Sequence, residues 1–289
     1  MAWIKVITHF LIIFFMSLMS LAVLAAEEPS LPLYESQELP LYEFGVFLGT
    51  AVLPDYPAAG QARSRTIPLP LVHYNGDLLR ADDDGGTRFR FINVEKFDLD
   101  LSFGGSFPTD TGNNDARSGM PNLDWTAEVG PRLIYYVYRD PLVGQLRIGI
   151  PVRANFATDF VKWYGVGYVF APTVQYDKFN FLTEHLDLFV HYTAHFITEG
   201  VADFFYQVDP QFQTLDRAAY KGQPGFLSHE YSVALKYRFN KKNLILGTQY
   251  SDFSQSANTG SSLHRSNVNW SYVLAFSWVL HESAARGIK

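Results

Sequence analysis

Hydrophobic and polar positions alternate with a period of two through most of the chain, as in strands with one apolar and one polar face. In 226–239, Leu227, His229, Tyr231, Val233, Leu235, Tyr237 and Phe239 share one face, opposite Ser228, Glu230, Ser232, Ala234, Lys236 and Arg238. The same split separates Leu186, Leu188, Val190, Tyr192, Ala194 and Phe196 from His185, Asp187, Phe189, His191, Thr193 and His195. It recurs in 97–104, 146–153 and 270–280. The runs are about 9–14 residues long, where soluble strands centre near 5–6 and a tilted bilayer-crossing strand needs about 9–11. Aromatics gather at the ends of the apolar faces, where a membrane interface places them. Only a closed barrel satisfies the backbone of strands in lipid. The expected fold is therefore all-β, a transmembrane antiparallel barrel.

Twelve segments fit the pattern: 42–52, 67–74, 78–82, 87–93, 97–104, 124–138, 144–155, 164–176, 185–197, 226–239, 243–253 and 270–280. Their connections alternate long and short, with 53–66, 105–123, 198–225 and 254–269 the long ones and Asn75-Gly76, Asp140-Pro141 and Asn240-Lys241-Lys242 tight turns. With both termini in the periplasm, every long connection falls on the outer side. An even count keeps that parity; losing the short hairpin through 78–82 gives ten strands.

Ahead of the first strand, Lys5 and the apolar run 10–24 followed by Ala25-Ala26 read as a signal peptide over 1–26. Residues 27–41 are a Pro- and Glu-containing lead-in, 42–280 the barrel, and 281–289 a polar tail. The chain of 289 residues has no cysteine, which excludes disulfides, thiolate metal sites and a cysteine nucleophile. Aromatics reach 16% while mean hydropathy stays at −0.04, far too polar for a helical membrane protein. A net charge of −6 argues against nucleic acid as a partner.

Gly45-Val46-Phe47-Leu48-Gly49 followed by Pro54-Asp55-Tyr56-Pro57 resembles the opening motif of the MipA/OmpV family. Pro68-Leu69-Pro70 leading to Tyr74-Asn75-Gly76-Asp77 extends the match, and Arg217-Ala218-Ala219-Tyr220 is similar to that family's Arg-Pro-Ala-Tyr loop, with Ala218 in place of Pro. The chain departs from the family at Ala58-Ala59, where Gly is expected, and in its polar tail. The resemblance implies an outer-membrane barrel and a scaffolding role. The family's namesake bridges a murein-degrading lytic transglycosylase and a bifunctional penicillin-binding protein.

The remaining chemistry is sparse. Ser228-His229-Glu230 holds the residue types of a hydrolytic triad, but neighbours in a strand point to opposite faces and cannot act as nucleophile and base. His191 and His195 lie some 13 Å apart along a strand, too far to share a metal at about 2 Å bonds. No cofactor or metal site is expected. Alternation points Arg88, Arg90, Asp98, Asp100, Glu128, Arg147, Arg153, Asp187, His191, His195, Glu230, Lys236 and Arg238 into the lumen. These charges serve either a salt-bridged filling or a charge-selective pore. Pro54, Asp55, Tyr56 and Pro57 form a stiff turn that shares the outer face with Arg217 and Tyr220, as a loop lock or a surface binding site. Asp82, Asp83 and Asp84 read as a solvated loop.

The sequence thus predicts a non-enzymatic outer-membrane barrel, in contact with membrane lipid and lipopolysaccharide. By the resemblance it acts as a scaffold, through short periplasmic turns near Asp140, Lys178 and Lys241 or through the lead-in. A small-solute channel and a lipid hydrolase are the alternatives.

Overall fold

The alternating segments pair, neighbour to neighbour, into a single antiparallel sheet. The computed structural model describes residues 38–288 except 76–78, 83–85, 90–91, 95 and 141. The strands are β1 (Tyr42–Pro54), β2 (Ala62–Asn75), β3 (Leu79–Asp82), β4 in two pieces (Gly86–Phe89 and Ile92–Val94), β5 (Phe97–Ser106), β6 (Trp125–Asp140) and β7 (Gly144–Thr158). They continue with β8 in two pieces (Trp163–Phe170 and Thr173–Lys178), β9 (Leu186–Ile197), β10 (Gly225–Phe239), β11 (Lys242–Asp252) and β12 (Val268–Glu282). Both pieces of β8 pair with β7 and β9, so they are one strand interrupted at Ala171-Pro172.

The first and last strands pair, from Tyr272↔Val52 to Glu282↔Glu43. The path of hydrogen-bonded neighbours begins at Gly86–Phe89 and ends at Ile92–Val94. Phe89 and Ile92 are three residues apart, at most ~11 Å, so the two edges of the sheet meet, and the first piece of β4 also lies against β5. The sheet is a closed barrel of twelve strands. Among the described residues β2 pairs with β3 only at Tyr74 and Asn75. Pro68 and Pro70 thus sit on a strand with one long free edge, where a missing N–H removes no ladder bond.

The outward face is exposed and largely apolar. Tyr192, Tyr231, Tyr250 and Trp270 are in register across β9–β12, with successive ring centroids 5.2, 6.2 and 5.1 Å apart. A second aromatic row, Tyr237, Phe239, Phe276 and Trp278, lies toward the short turns, with the Lys242 ammonium 4.6 Å over the Trp278 ring. Six residues separate Tyr231 from Tyr237, ~20 Å of strand, close to the ~25 Å apolar band of outer-membrane barrels. Val233, Leu244, Leu246 and Leu274 fill the space between and are exposed. Such a continuous apolar belt is untenable in water and suited to hydrocarbon. No helix among the described residues is long and apolar enough to cross a membrane.

Several sequence expectations shift. β2 starts at Ala62, not 67, and β7 and β8 extend to Thr158 and from Trp163. The connections after β1 and β7 therefore shrink to 55–61 and 159–162, and the long ones are 107–124, 198–224 and 253–267. The longest contains a helix, α1 (Glu199–Tyr206), which the period-two reading did not anticipate. The last strand runs to Glu282, and the tail turns back so that Arg286–Ile288 pairs with Glu38–Pro40 of the lead-in. The predicted signal peptide lies outside the described residues.

Candidate functional site

Inside the barrel, carboxylates and guanidinium groups meet across strands. Asp100 on β5 takes a bidentate bond from Arg132 on β6, at 2.9 and 2.7 Å. Glu128 accepts from Arg153 Nε at 2.8 Å and from Asn155 at 3.2 Å, and Arg153 Nη1 also reaches the Ser102 hydroxyl at 3.1 Å. Asp177 collects Gln145 at 2.6 Å, Gln175 at 3.0 Å, Arg147 at 3.3 Å and His191 at 3.6 Å. Asp98 accepts from the buried Tyr136 hydroxyl at 2.9 Å. Glu230 meets His195 at 3.0 Å, and Asp187 meets Arg238 at 2.9 Å. Lys236 faces Asp187 in the ladder and also has a partner. A cross-strand partner is needed because a charge in this low-dielectric interior is stable only when paired and hydrogen-bonded.

The structure places Asp98, Asp100, Glu128, Arg147, Arg153, Asp187, His191, His195, Glu230, Lys236 and Arg238 on the face of the sheet that carries these pairs, while Arg88 and Arg90 lie outside the described side chains. Arg132 and Asp177, each the hub of a pair, are absent from the predicted set. Arg132 was legible four residues from Glu128 on the same face; Asp177 was hidden by ending its strand at 176. His185 is a correction: it is exposed before β9 begins, and its ring meets the outward Tyr237 edge-on at 6.2 Å. Leu227 is another, since it is buried beside Ser228 where the β9–β10 register shifts, not turned to lipid.

Toward the long loops the filling changes character. Inward residues at the strand tops, Val169, Ile197 and Leu227, join Tyr56, Leu123, Val201, Phe205, Tyr206, Phe253 and Leu263 in one buried cluster. Helix α1 enters this plug by its apolar stripe of Val201, Ala202, Phe205 and Tyr206. A Cβ on Gly167 would stand 2.3 Å from Thr198 Oγ1, and one on Gly200 2.0 Å from the Val166 carbonyl oxygen. Two glycines thus permit the helix–strand approach. Thr198, at the helix N-cap, accepts from the Tyr168 backbone N–H at 2.9 Å and ties helix to strand.

The Pro-Asp-Tyr-Pro turn and the Arg217 loop lie within the plug. The Tyr56 hydroxyl donates to the Leu263 carbonyl at 2.9 Å, and that of Tyr206 to the Pro57 carbonyl at 2.9 Å. Arg217 bonds the carbonyls of Phe212, Ala116 and Ser118. Asp55 pairs with Arg63 at 2.9 Å and accepts from Asn114 at 2.8 Å. Tyr220 reaches Asn258 at 3.3 Å. Arg117 lies 5.7 Å over the Tyr56 ring and bonds the Phe205 carbonyl. Burial pushes the Tyr56 hydroxyl up to about 12 and, with the Arg217 charge adding, pulls the Arg117 guanidinium down to about 10. Buried Tyr56 and Arg217 leave little of this motif for an external ligand.

Ser228 stands opposite His195 in the ladder, and His195 bonds Glu230, which gathers the side chains of a hydrolytic triad. Yet the Ser228 hydroxyl is fully buried and has no hydrogen-bond partner, so it lacks both a base and access to substrate. No metal-binding cluster occurs among the described residues. One small cavity, of about 60 Å³, opens in the charged part of the lumen between Arg132, Arg147 and Arg153.

A family model described as MltA-interacting protein MipA matches residues 46–280. No curated protein matches the chain. Among solved structures the chain is similar to the CymD monoaromatic hydrocarbon channel, at 10% identity over 83% of this chain and 89% of that one, with a TM-score of 0.36. It is similar also to the Ralstonia pickettii toluene transporter TbuX, with the same identity and coverage and a TM-score of 0.32. At these scores neither carries an argument about this chain.

Proposed function

Because the chain belongs to the MltA-interacting protein MipA family, we propose that it is a non-enzymatic scaffold in the outer membrane of a Gram-negative bacterium, holding murein enzymes at the membrane's inner surface. The family resemblance supplies the partner class, a lytic transglycosylase and a bifunctional penicillin-binding protein. One observation favours a scaffold over a conduit: among the described residues the lumen is largely occupied. Cross-strand ion pairs fill its middle and an apolar plug fills its long-loop mouth. A filled barrel is rigid and acts through its surfaces, here the short turns near Asp140, Lys178 and Lys241 and the paired lead-in and tail.

The refolded chain, immobilised in detergent, is expected to retain both enzymes, and in a planar bilayer it is expected to give no discrete openings. Retention of neither enzyme overturns the scaffold. Discrete, ion-selective openings would instead support a second reading, a small-solute channel, which the arginine-lined cavity favours.

A further inference from the structure

The cavity between β5, β6, β7 and β8 has an unusual lining. Three guanidinium groups, Arg132, Arg147 and Arg153, surround it with Ser102, Thr173 and Gln175, and no carboxylate lines it. The carboxylates that neutralise these arginines stand outside the lining and fix the direction of each fork. Asp100 holds Arg132 through Nε and Nη2, and Glu128 holds Arg153 through Nε while Ser102 takes Nη1. A guanidinium carries five N–H donors and no acceptor. The bonds named for Arg132 and Arg153 use two donors apiece, which leaves the rest for whatever occupies the space. Arg132 and Arg153 are 22% and 13% exposed in their side chains, so bulk water reaches these remaining donors only in part. Buried donors require acceptors.

We propose that this cavity is a binding site for one small oxyanion, of the class of phosphate, sulfate or a short carboxylate. Several oxygens on one centre accept from converging guanidinium groups in charge-assisted, forked bonds, which are roughly twice as strong as neutral ones. A cavity of about 60 Å³ also has room for a few waters, each needing about 10–15 Å³, but a water presents one oxygen where an oxyanion presents several on one centre. The inference stands whether the barrel is a scaffold or a channel, since it concerns occupancy and not flow.

The test uses the full chain refolded in detergent micelles in the presence of inorganic phosphate, of acetate, or of sodium chloride at matched ionic strength. Phosphate is expected to give a saturable one-site calorimetric titration and a rise in the thermal midpoint, and chloride neither. The paired variant Arg132→Gln with Asp100→Asn removes one fork without stranding a charge. It is expected to keep the circular dichroism of the wild type and to bind phosphate at least tenfold more weakly. Absence of saturable phosphate binding by the wild type overturns the proposal, and that result needs no variant to fold. Wild-type affinity in a folded paired variant overturns it equally. Saturation by acetate as tight as by phosphate would support the site and assign it to carboxylates.

Discussion

The barrel is filled in two ways, and the boundary between them runs across β8, β9 and β10. Near the long loops, Leu263, Val201, Ala202 and Tyr206 have lost essentially all contact with solvent and pack on one another. Half a strand lower, Asp100, Arg132, Glu128, Arg153, Arg147 and Asp177 hold one another by charge. The upper filling is held by burial of apolar area, which grows with each contact and tolerates small losses. The lower one works only as a complete set, because removing one member leaves an uncompensated charge in a low-dielectric space. The buried cations of the plug bond to loop carbonyls, Arg117 to Phe205 and Arg217 to Phe212, Ala116 and Ser118, and the Arg117 Nε finds no hydrogen-bond partner among the described residues.

The sharpest way to break this contrast is to strand a charge. Arg147→Ala leaves Asp177 with only neutral donors and His191, and is expected to cost about 3–5 kcal/mol in denaturant unfolding of the refolded chain. Adding Asp177→Ala should recover much of that loss, and failure to recover would remove the ladder's claim to be a matched set. In the plug, Leu263→Ala is expected to cost about 3 kcal/mol, read as faster proteolysis of 198–224 and 253–267 while the barrel keeps its strand circular dichroism. Coupled loss of both would make the two fillings one unit.

Smaller effects sharpen the comparison. Tyr206→Phe deletes only the bond to the Pro57 carbonyl and is expected to cost about 1 kcal/mol, measured by the same proteolysis. The Tyr56 hydroxyl, raised by burial to about 12, favours the neutral form in the fold. Its contribution is intact below its ordinary value near 10 and is lost as pH rises from there to about 12. Arg117, pulled down to about 10, works in the opposite sense and blunts the loss. The two shifts are of similar size and opposite sign, so loop proteolysis is expected to change little between pH 10 and 12, whereas Tyr56→Phe, which leaves the Arg117 contribution alone, should slow it over that range. The smallest effect belongs to the solvent-exposed pair of Lys221 and Glu199. Exposed pairs are screened by water, so Lys221→Ala is expected to leave unfolding and proteolysis unchanged.

Much of the lower filling was legible from alternation, because a strand assigns every second side chain to one face whatever its partner. Asp100, Glu128, Arg153, Asp187 and Glu230 could be placed inward without knowing which strand stood opposite. Arg132 could have been found the same way. Asp177 falls just past the apparent end of its strand because the break at Ala171-Pro172 blurs the alternation there. The plug was not legible. Tyr56, Arg217 and Tyr220 share the long-loop side in the sequence reading, but their hydrogen bonds run to Leu263, Ala116, Ser118 and Asn258, at separations no local pattern encodes. Helix α1 spans only two turns, too short for its 3.6-residue stripe to stand out against the period of two around it.

By itself the sequence determined that strands long enough for a bilayer would carry grease on one side and charge on the other, and that their number would be even. Those are properties of a side chain's direction along its own strand, fixed by backbone geometry. Which charge meets which, where three arginines leave a space, and how four loops share one apolar centre were decided only by the tertiary structure. Pairing register and loop convergence depend on residues far apart in the chain, whose meeting is set by closure of the sheet.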